Sequence, residues 1–184
     1  QNITSLISGN YSVTVTDANN CQTVKSYIES NGSCNLAGSI DYQTNVSCFD
    51  SSDAEASLMI TSGVSPYTFL WSNGNTTTAC TGLCAGTYTI VVTDSNSCTT
   101  QNIISVLSPA ILTVTSVVTK TSCNYSSDGN IDITPAGGVL PYTFLWSNNA
   151  TTEDITNLTS GIYFVTITDS NKCSLNDTIT VNAT

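Results

Sequence analysis

The sequence lacks histidine and arginine, and its cations are three lysines, Lys25, Lys120 and Lys172. Charged residues make up 9% of the chain, and the formal net charge is −10. Nucleic acids and anionic membrane surfaces are recognised by clustered Lys and Arg, so the composition excludes both as partners. The sequence also has no P-loop and no Gly-x-Ser-x-Gly nucleophile elbow. We therefore predict a protein that is not an enzyme and that needs no cofactor or metal.

Long hydrophobic runs are absent as well. The longest apolar stretches have the length of a β-strand, far below the ~20 residues that span a bilayer as a helix. No stretch has the charged and apolar regions of a signal peptide. We therefore expect a mature or excised segment without direct membrane insertion, with any anchor elsewhere.

The sequence does contain a motif that occurs three times, at residues 9–21, 86–98 and 161–173. Each copy reads Gly-x-Tyr, then an alternating run of apolar and hydroxyl residues, then Thr-Asp-x-Asn-x-Cys. A period of two predicts a strand with one buried side, and the Asp and Asn residues are typical of a turn. Each copy is therefore predicted to be a strand and a turn that ends at a cysteine.

A second motif fixes the period of the repeat. Residues 66–73, Pro-Tyr-Thr-Phe-Leu-Trp-Ser-Asn, return at 141–148, 75 positions later. A fixed period of this size indicates a tandem array. We predict the closing strands of an incomplete repeat at 1–31, which we expect other strands to complete, and full repeats at 32–109 and 110–184.

Neither full repeat shows a helical hydrophobic period. The alternating runs and turn signals predict about seven short strands in each repeat. This pattern favours an all-β fold of tandem immunoglobulin-like β-sandwiches of about 75 residues. An up-and-down barrel is the alternative.

The chain has eight cysteines, and four of them form two pairs with the same separation. Cys48 and Cys98 are 50 residues apart, as are Cys123 and Cys173. We therefore predict one disulfide within each repeat, each contributing ~4 kcal/mol. Paired cysteines persist outside the cytosol, which predicts an extracellular or cell-surface location. A metal site is the rival interpretation, but the sequence has neither histidine nor a Cys-x-x-Cys pair.

The other four cysteines have no such spacing. Cys80 and Cys84 lie close together in the first full repeat, so we predict a local disulfide between them. Cys21 lacks the loop cysteine that would precede it, and we predict that it pairs with the nearby Cys34. A bond from Cys21 to a preceding segment or to another chain is the alternative.

The aromatic residues have a structural and a functional interpretation. Trp71 and Trp146 alternate in phase with Tyr and Phe, which predicts packing in the core of a sandwich. Sugar-stacking platforms are the functional alternative. Tyr11, Tyr88 and Tyr163 each follow a glycine by two positions, and we predict tyrosine corners rather than ligand contacts.

Acidic residues cluster in one loop of each repeat, with Asp50, Asp53 and Glu55 in the first and Asp128 and Asp132 in the second. Calcium takes about six to eight oxygen ligands, and neither loop has a dense Asp-x-Asp-x-Asp pattern. Solvated charge is therefore the prediction.

The acceptor motif Asn-x-Ser/Thr for N-glycosylation is frequent, although the Asn, Ser and Thr content explains most of the matches. The candidates are Asn2, Asn10, Asn31, Asn45, Asn75, Asn124, Asn149, Asn157, Asn176 and Asn182.

The second full repeat carries a long motif string that resembles a known family. It reads Cys123 … Ser127-Asp128-Gly129 … Gly137-Gly138 … Pro141-Tyr-Thr-Phe-Leu-Trp-Ser-Asn148 … Leu158-x-x-Gly161-x-Tyr163 … Thr168-Asp-x-Asn-x-Cys173. This string resembles the SprB-type repeat of Bacteroidota gliding adhesins and other large cell-surface proteins. The first full repeat departs from it at Asp53-Ala54 and Ser62-Gly63.

The resemblance implies an exported, disulfide-bonded array on the cell surface whose repeats are not enzymes. It also implies O-glycosylation at Asp-Ser/Thr followed by an apolar residue, which makes Thr178 a candidate. We expect a structural segment of an adhesin stalk or filament whose partners are other copies of the chain, further repeats of it, or glycans. Copies joined head to tail would complete the residues at 1–31. A carbohydrate-binding module is the alternative.

Overall fold

The computed structural model describes residues 9–29 and 34–184. These residues form fourteen β-strands and no helix, which confirms the predicted all-β class. The described ranges therefore hold no helix that could cross a membrane. The strands are β1 (Gly9–Thr16), β2 (Gln22–Glu29), β3 (Ala37–Gln43), β4 (Ala54–Ser62), β5 (Thr68–Trp71), β6 (Ala79–Leu83), β7 (Gly86–Thr93), β8 (Thr99–Val106), β9 (Thr113–Thr119), β10 (Gly129–Ala136), β11 (Thr143–Trp146), β12 (Ile155–Leu158), β13 (Gly161–Thr168) and β14 (Ser174–Val181).

The strands of each full repeat form two three-stranded sheets. In the second repeat the orders are β9-β10-β12 and β11-β13-β14, and in the first they are β3-β4-β6 and β5-β7-β8. This order puts the first, second and fourth strands in one sheet and the third, fifth and sixth in the other, as in an immunoglobulin-like sandwich. The described residues hold six strands per repeat rather than the predicted seven. Among those residues, neither repeat has the strand that would add a fourth member to the first sheet.

The second repeat has two separate sheets around one core, which makes it a sandwich, whereas a barrel is one closed sheet. The register of β11 on β13 pairs Trp146 with Val165 and Phe144 with Ile167. The buried core side chains come from both sheets: Ile131, Ile133, Trp146, Ile155, Leu158, Val165, Ile167, Ile179 and Val181. Strict alternation along β10 and β14 points these side chains inward and leaves polar neighbours outside.

By Cα proximity the chain divides into two compact units. Unit 1 comprises Gln1–Asp41, Ser57–Ala79 and Tyr88–Ile103, and unit 2 comprises Tyr42–Ala56, Cys80–Thr87 and Ile104–Thr184. The division passes through β3, β4, β6, β7 and β8. The units therefore differ from the sequence repeats, and the predicted boundaries of segments 1–31, 32–109 and 110–184 stay predictions.

The first motif copy forms a two-stranded hairpin, in which β1 pairs with β2 from Gly9↔Glu29 to Thr16↔Gln22. Val13 and Val15 in β1 are 43% and 59% exposed. The equivalent Val165 and Ile167 of β13 are buried in the core. The hairpin is therefore built like the closing strands of a repeat whose opening strands are not among the described residues.

Candidate functional site

The cysteine loop, residues 47–53, is held by one carboxylate. Oδ1 of Asp53 accepts hydrogen bonds from the backbone N–H of Ser47 at 3.0 Å and from the hydroxyl of Ser51 at 2.8 Å. The Ser51 hydroxyl also accepts from the N–H of Cys48 at 3.2 Å. These bonds fix the backbone on both sides of the half-buried Cys48.

The cysteine turn, residues 169–173, is held in a similar way. Oδ1 of the buried Asp169 accepts from the N–H groups of Asn171 and Cys173, each at 2.9 Å. Its Oδ2 accepts from the N–H of Val139 at 2.9 Å. Lys172 takes the positive φ of 72° that closes the turn. The carboxylate thereby fixes the direction of the Cys173 side chain.

The loop and the turn meet inside unit 2. Cys48 and Cys173 form a disulfide with a Cα–Cα distance of 5.7 Å. Beside it, Nδ2 of Asn171 donates a hydrogen bond to the carbonyl oxygen of Ser47 at 2.8 Å. By sequence, Cys48 belongs to the first full repeat and Cys173 to the second. This connection therefore joins successive repeats covalently.

A second disulfide lies inside unit 1. It joins Cys34 to Cys98, with a Cα–Cα distance of 5.5 Å. Cys98 ends a turn of the same design, in which Oδ1 of Asp94 accepts from the N–H groups of Asn96 and Cys98, each at 2.9 Å. Cys98 thus bonds to Cys34, which lies before the cysteine loop of the same repeat.

The predicted within-repeat pairs Cys48–Cys98 and Cys123–Cys173 are therefore wrong. A disulfide needs its Cα atoms roughly 4.4–6.8 Å apart, and this condition is met by Cys98 with Cys34 and by Cys173 with Cys48. Equal spacing could not reveal this. Cys48 and Cys123 are equivalent positions 75 residues apart, and so are Cys98 and Cys173. The spacing therefore does not show whether a turn cysteine pairs within its own repeat or with the preceding one.

The remaining cysteines differ in exposure. The predicted bond between Cys21 and Cys34 is wrong because Cys34 is bonded elsewhere. Cys21 and Cys123 carry free, exposed thiols. Cys80 is buried in β6, and Cys84 is exposed just after this strand. The local bond between Cys80 and Cys84 stays a prediction.

The two tryptophans are part of the packed interior. Trp71 and Trp146 are 1% and 2% exposed. Their indole N–H groups donate to the carbonyls of Thr77 and Thr152, at 2.8 Å and 3.0 Å. A ring without exposed area cannot stack on a sugar. The carbohydrate-binding alternative therefore loses its candidate platforms.

In the second repeat, Tyr163 makes the contact predicted for a tyrosine corner. The hydroxyl of Tyr163 donates to the carbonyl of Thr159, four residues upstream, at 3.1 Å. This contact matches the tyrosine corner of immunoglobulin-like domains. The hydroxyl of Tyr142 donates to the carbonyl of Gly137 in the same repeat.

The acidic loops use their carboxylates internally. Hydrogen bonds from Ser47 and Ser51 lower the pKa of Asp53 to about 2. Those from Ser126 and Ser122 lower that of Asp128 to about 2. Among the described residues, no three or more Cys, Asp or Glu side chains gather as a metal site would require.

The glycosylation candidates are mostly on the surface. Asn2 and Asn31 lie outside the described residues. Asn75 is half-buried, and its Oδ1 accepts from the N–H and hydroxyl of Thr77. The exposed candidates are Asn10, Asn45, Asn124, Asn149, Asn157, Asn176, Asn182 and Thr178. Their use as attachment sites stays a prediction.

Sequence reasoning missed the polar residues that hold the connection. Ser51 and Asn171 position the loop and the contact to the turn, yet they read as ordinary loop residues. The available signal was the pattern Cys-x-x-Ser-x-Asp, which begins at Cys48 and again at Cys123. Its recurrence indicates a loop whose serine and aspartate share one structural task.

Within the described residues, these features define tandem repeats of six-stranded, immunoglobulin-like β-sandwiches, with the Cys34–Cys98 bond in the first repeat and the Cys48–Cys173 bond between successive repeats. The repeat has a known family. The family model described as the SprB repeat matches residues 40–76 and 115–151, again 75 positions apart. Two segments of the chain thus match the SprB repeat, and the resemblance predicted from the sequence is confirmed.

Among solved structures, the chain is similar to the fibronectin(III)-like modules of Clostridium thermocellum CbhA. The identity is 16%, the match covers 80% of this chain and 95% of that one, and the TM-score is 0.33. It is also similar to the amphioxus IgVJ-C2 molecule, with 14% identity, coverage of 74% and 99%, and a TM-score of 0.35. No curated protein matches this chain in sequence.

Proposed function

We propose that the chain is a structural segment of an extracellular adhesin stalk or filament. The observation that carries this proposal is the disulfide between Cys48 and Cys173, which ties the first full repeat to the second. Disulfides are typical of proteins outside the cytosol. A cross-link between repeats has little use in a binding site but serves a protein that transmits force.

The mechanism is mechanical. Tension along the chain passes across the Cys48–Cys173 bond instead of through the 125 positions that it spans. The sandwiches inside that loop are thereby spared the pull. The stalk keeps its length under load because its repeats cannot extend beyond the cross-link.

A polar, glycan-bearing surface belongs to the same proposal. Charged residues make up only 9% of the chain. The surface is therefore hydrated mainly through its Ser, Thr and Asn side chains. Exposed acceptors such as Asn45, Asn124 and Asn182 offer attachment points. Sugars on them would keep neighbouring stalks apart.

The β1–β2 hairpin supports assembly from more than one copy. In a complete repeat, the positions of Val13 and Val15 are covered by the opposite sheet, as Val165 and Ile167 are. An isolated two-stranded hairpin is only marginally stable in water. We propose that a second copy of this chain covers the hairpin's apolar face, joining molecules head to tail.

Immunogold electron microscopy of intact source cells tests the proposed function. An antibody raised against the folded chain is expected to label thin fibres that extend from the envelope. Fixed cells opened with detergent serve as the control for access. Label confined to the cell interior would overturn the proposal, and so would label on separate particles without fibres.

A further inference from the structure

We propose that Cys123 of one molecule forms a disulfide with Cys21 of the next, so that copies of this chain are joined by the same connection that joins its two repeats. The inference rests on the proposed head-to-tail assembly. It names the residues that would make this assembly covalent.

The loop around Cys123 reproduces the loop around Cys48. Oδ1 of Asp128 accepts from the N–H of Ser122 at 3.1 Å and from the hydroxyl of Ser126 at 2.7 Å. The Ser126 hydroxyl accepts from the N–H of Cys123 at 3.1 Å. Each distance differs by only 0.1 Å from its counterpart around Cys48.

The turn around Cys21 likewise reproduces the turn around Cys173. Oδ1 of Asp17 accepts from the N–H groups of Asn19 and Cys21, each at 2.9 Å, as Asp169 does in its turn. Asn20 takes a positive φ of 65°, close to that of Lys172.

The molecule itself shows how a loop and a turn of these two kinds are connected. In unit 2, a loop of the first kind and a turn of the second kind are joined by the Cys48–Cys173 disulfide and by the hydrogen bond from Asn171 to Ser47. In a joint between molecules, Asn19 takes the place of Asn171, and Ser122 takes the place of Ser47.

One loop cysteine and one turn cysteine carry no disulfide in the structure. Two loop cysteines and three turn cysteines lie in the described residues, and Cys48, Cys98 and Cys173 are already bonded. Cys123 and Cys21 remain, both free and exposed. A free thiol in a protein of an oxidising compartment indicates pairing with another chain.

The bond forms by ordinary thiol–disulfide exchange. The two thiols lose two electrons and two protons, which a disulfide oxidant such as oxidised glutathione takes up as it becomes two thiols. One S–S bond breaks and one forms, through a mixed disulfide on either cysteine.

The test uses the full chain, with its Cys34–Cys98 and Cys48–Cys173 bonds first verified by peptide mass mapping. Oxidised glutathione is then added to the concentrated protein. We expect a ladder of dimers, trimers and longer oligomers on a non-reducing gel, which collapses to monomer under reduction. The cross-linked peptide is expected to contain Cys21 and Cys123.

Variants identify the partners. Cys21→Ser alone and Cys123→Ser alone are each expected to stop the ladder. A mixture of the two is expected to give one dimer and nothing longer, because each molecule then carries one reactive end. The double variant Cys80→Ser/Cys84→Ser is the control, since it removes the two cysteines that lie outside both the joint and the native disulfides and should leave the ladder unchanged.

A further variant separates docking from mere thiol reactivity. Asn19→Ala keeps the backbone hydrogen bonds of the turn but removes the side chain that would bind the carbonyl of Ser122. We expect the ladder to form about fivefold more slowly, the effect of one hydrogen bond. The rate at which iodoacetamide alkylates Cys21 should stay the same.

Three results would overturn the inference: a Cys21–Cys123 bond within one monomer, dimers linked only through two copies of the same cysteine, or thiols that stay unlinked after oxidation. Peptide mapping of native fibres separates this inference from the proposed function. Labelled fibres without a Cys21–Cys123 peptide refute the joint and leave the function standing. An absence of fibres refutes the function even if the purified chain forms a ladder.

Discussion

One carboxylate oxygen organises each cysteine loop, and the charge of that carboxylate makes the loop sensitive to acid. In the second repeat, Oδ1 of Asp128 is the shared acceptor for Ser122 and Ser126. The hydrogen bond from the Ser126 hydroxyl is the main reason that the pKa of Asp128 falls from 3.8 to about 2. A lowered pKa in the folded state means that the fold favours the ionised form.

We therefore expect the loop around Cys123 to be intact above pH 3.8 and to lose its hydrogen bonds as the pH falls toward about 2. The amide NMR signals of Ser122 and Ser126 would report this, with a titration midpoint near the lowered pKa. Asp128→Ala should abolish the titration of both signals. A midpoint at the ordinary carboxylate value would contradict the account.

The core tryptophan of each repeat should contribute much more to stability than its exposed neighbour. Trp146 is buried and hydrogen-bonded, whereas the adjacent Leu145 is 56% exposed on the other face of β11. We expect Trp146→Ala to lower the free energy of unfolding by about 3–5 kcal/mol. Leu145→Ala should change it by less than about 0.5 kcal/mol. Urea unfolding followed by circular dichroism compares them, and equal effects would refute the assigned core.

At the scale of elements, the turn that follows β10 depends on close backbone approach. Gly137 has a φ of +79°, and a Cβ there would lie 1.9 Å from the carbonyl oxygen of Ile111. Gly74 has a similar φ of +87° but open space around it. The two glycines therefore separate conformational strain from steric clash.

We expect Gly74→Ala to cost only the left-handed backbone strain, about 1–2 kcal/mol. Gly137→Ala should cost at least about 1–3 kcal/mol more, because the backbone of residue 111 has to move. Thermal unfolding of both variants measures the difference. If the two alanines were equally destabilising, the close contact to Ile111 would be wrong.

The hairpin and its complete counterpart provide another comparison of elements. Val165 is 1% exposed, and Val13 occupies the equivalent position at 43% exposure. In dilute, reduced protein, Val165→Ala should cost roughly 1.5–3 kcal/mol of unfolding free energy. Val13→Ala should change it by less than about 0.5 kcal/mol.

The same Val13 variant also tests strand complementation. Under assembling conditions, Val13→Ala should weaken association, because a second copy then covers this side chain. Light scattering across a dilution series measures the change. Unaltered association would argue against coverage of the hairpin.

Local chemistry accounts for the parts that were predictable from the sequence. The alternation of Tyr163, Val165 and Ile167 specifies a strand with one buried face, and Asp169 and Asn171 specify the turn after it; both are present. The seventh strand was predicted because short alternating runs and extended loops look alike in sequence. Hydrogen bonding across a sheet, which decides between them, leaves no local pattern.

The disulfide connections were not predictable, because they depend on which loop and which turn approach each other. Cys48 has the same local sequence pattern whether its partner is Cys98 or Cys173. The serines of the cysteine loop were likewise unremarkable until Asp53 was seen to bind Ser47 and Ser51. Contacts between repeats are properties of the folded chain, and no single segment records them.

At the scale of the whole molecule, the two disulfides interleave, since the order along the chain is Cys34, Cys48, Cys98 and Cys173. The shortest covalent route from Cys34 to Cys173 follows 14 residues to Cys48 and then crosses the second bond. Fully extended, this route is only about 50 Å long.

Single-molecule force spectroscopy should detect this route directly. Reduction of both bonds should release the 125 positions spanned by the Cys48–Cys173 bond, an added length of about 400–450 Å. Cys98→Ser should add nothing, because the short route does not use that residue. Cys173→Ser should add about half of the full gain, since the Cys34–Cys98 bond then shortens the route. Equal gains from the two variants would refute the interleaved pairing.

The interleaving also constrains how a cell can make this protein. A chain delivered from its N-terminus presents Cys48 and Cys98 to an oxidising compartment well before Cys173 arrives. When Cys98 arrives, its native partner Cys34 and the non-native partner Cys48 are both already present, and a Cys48–Cys98 bond would trap both cysteines with the wrong partner. A chain trapped in this way reaches the native pattern only by thiol–disulfide exchange after the second repeat has emerged. We therefore expect a disulfide isomerase to raise the yield of the native pattern, because oxidation alone would leave some chains with the first repeat closed on itself and not joined to the second.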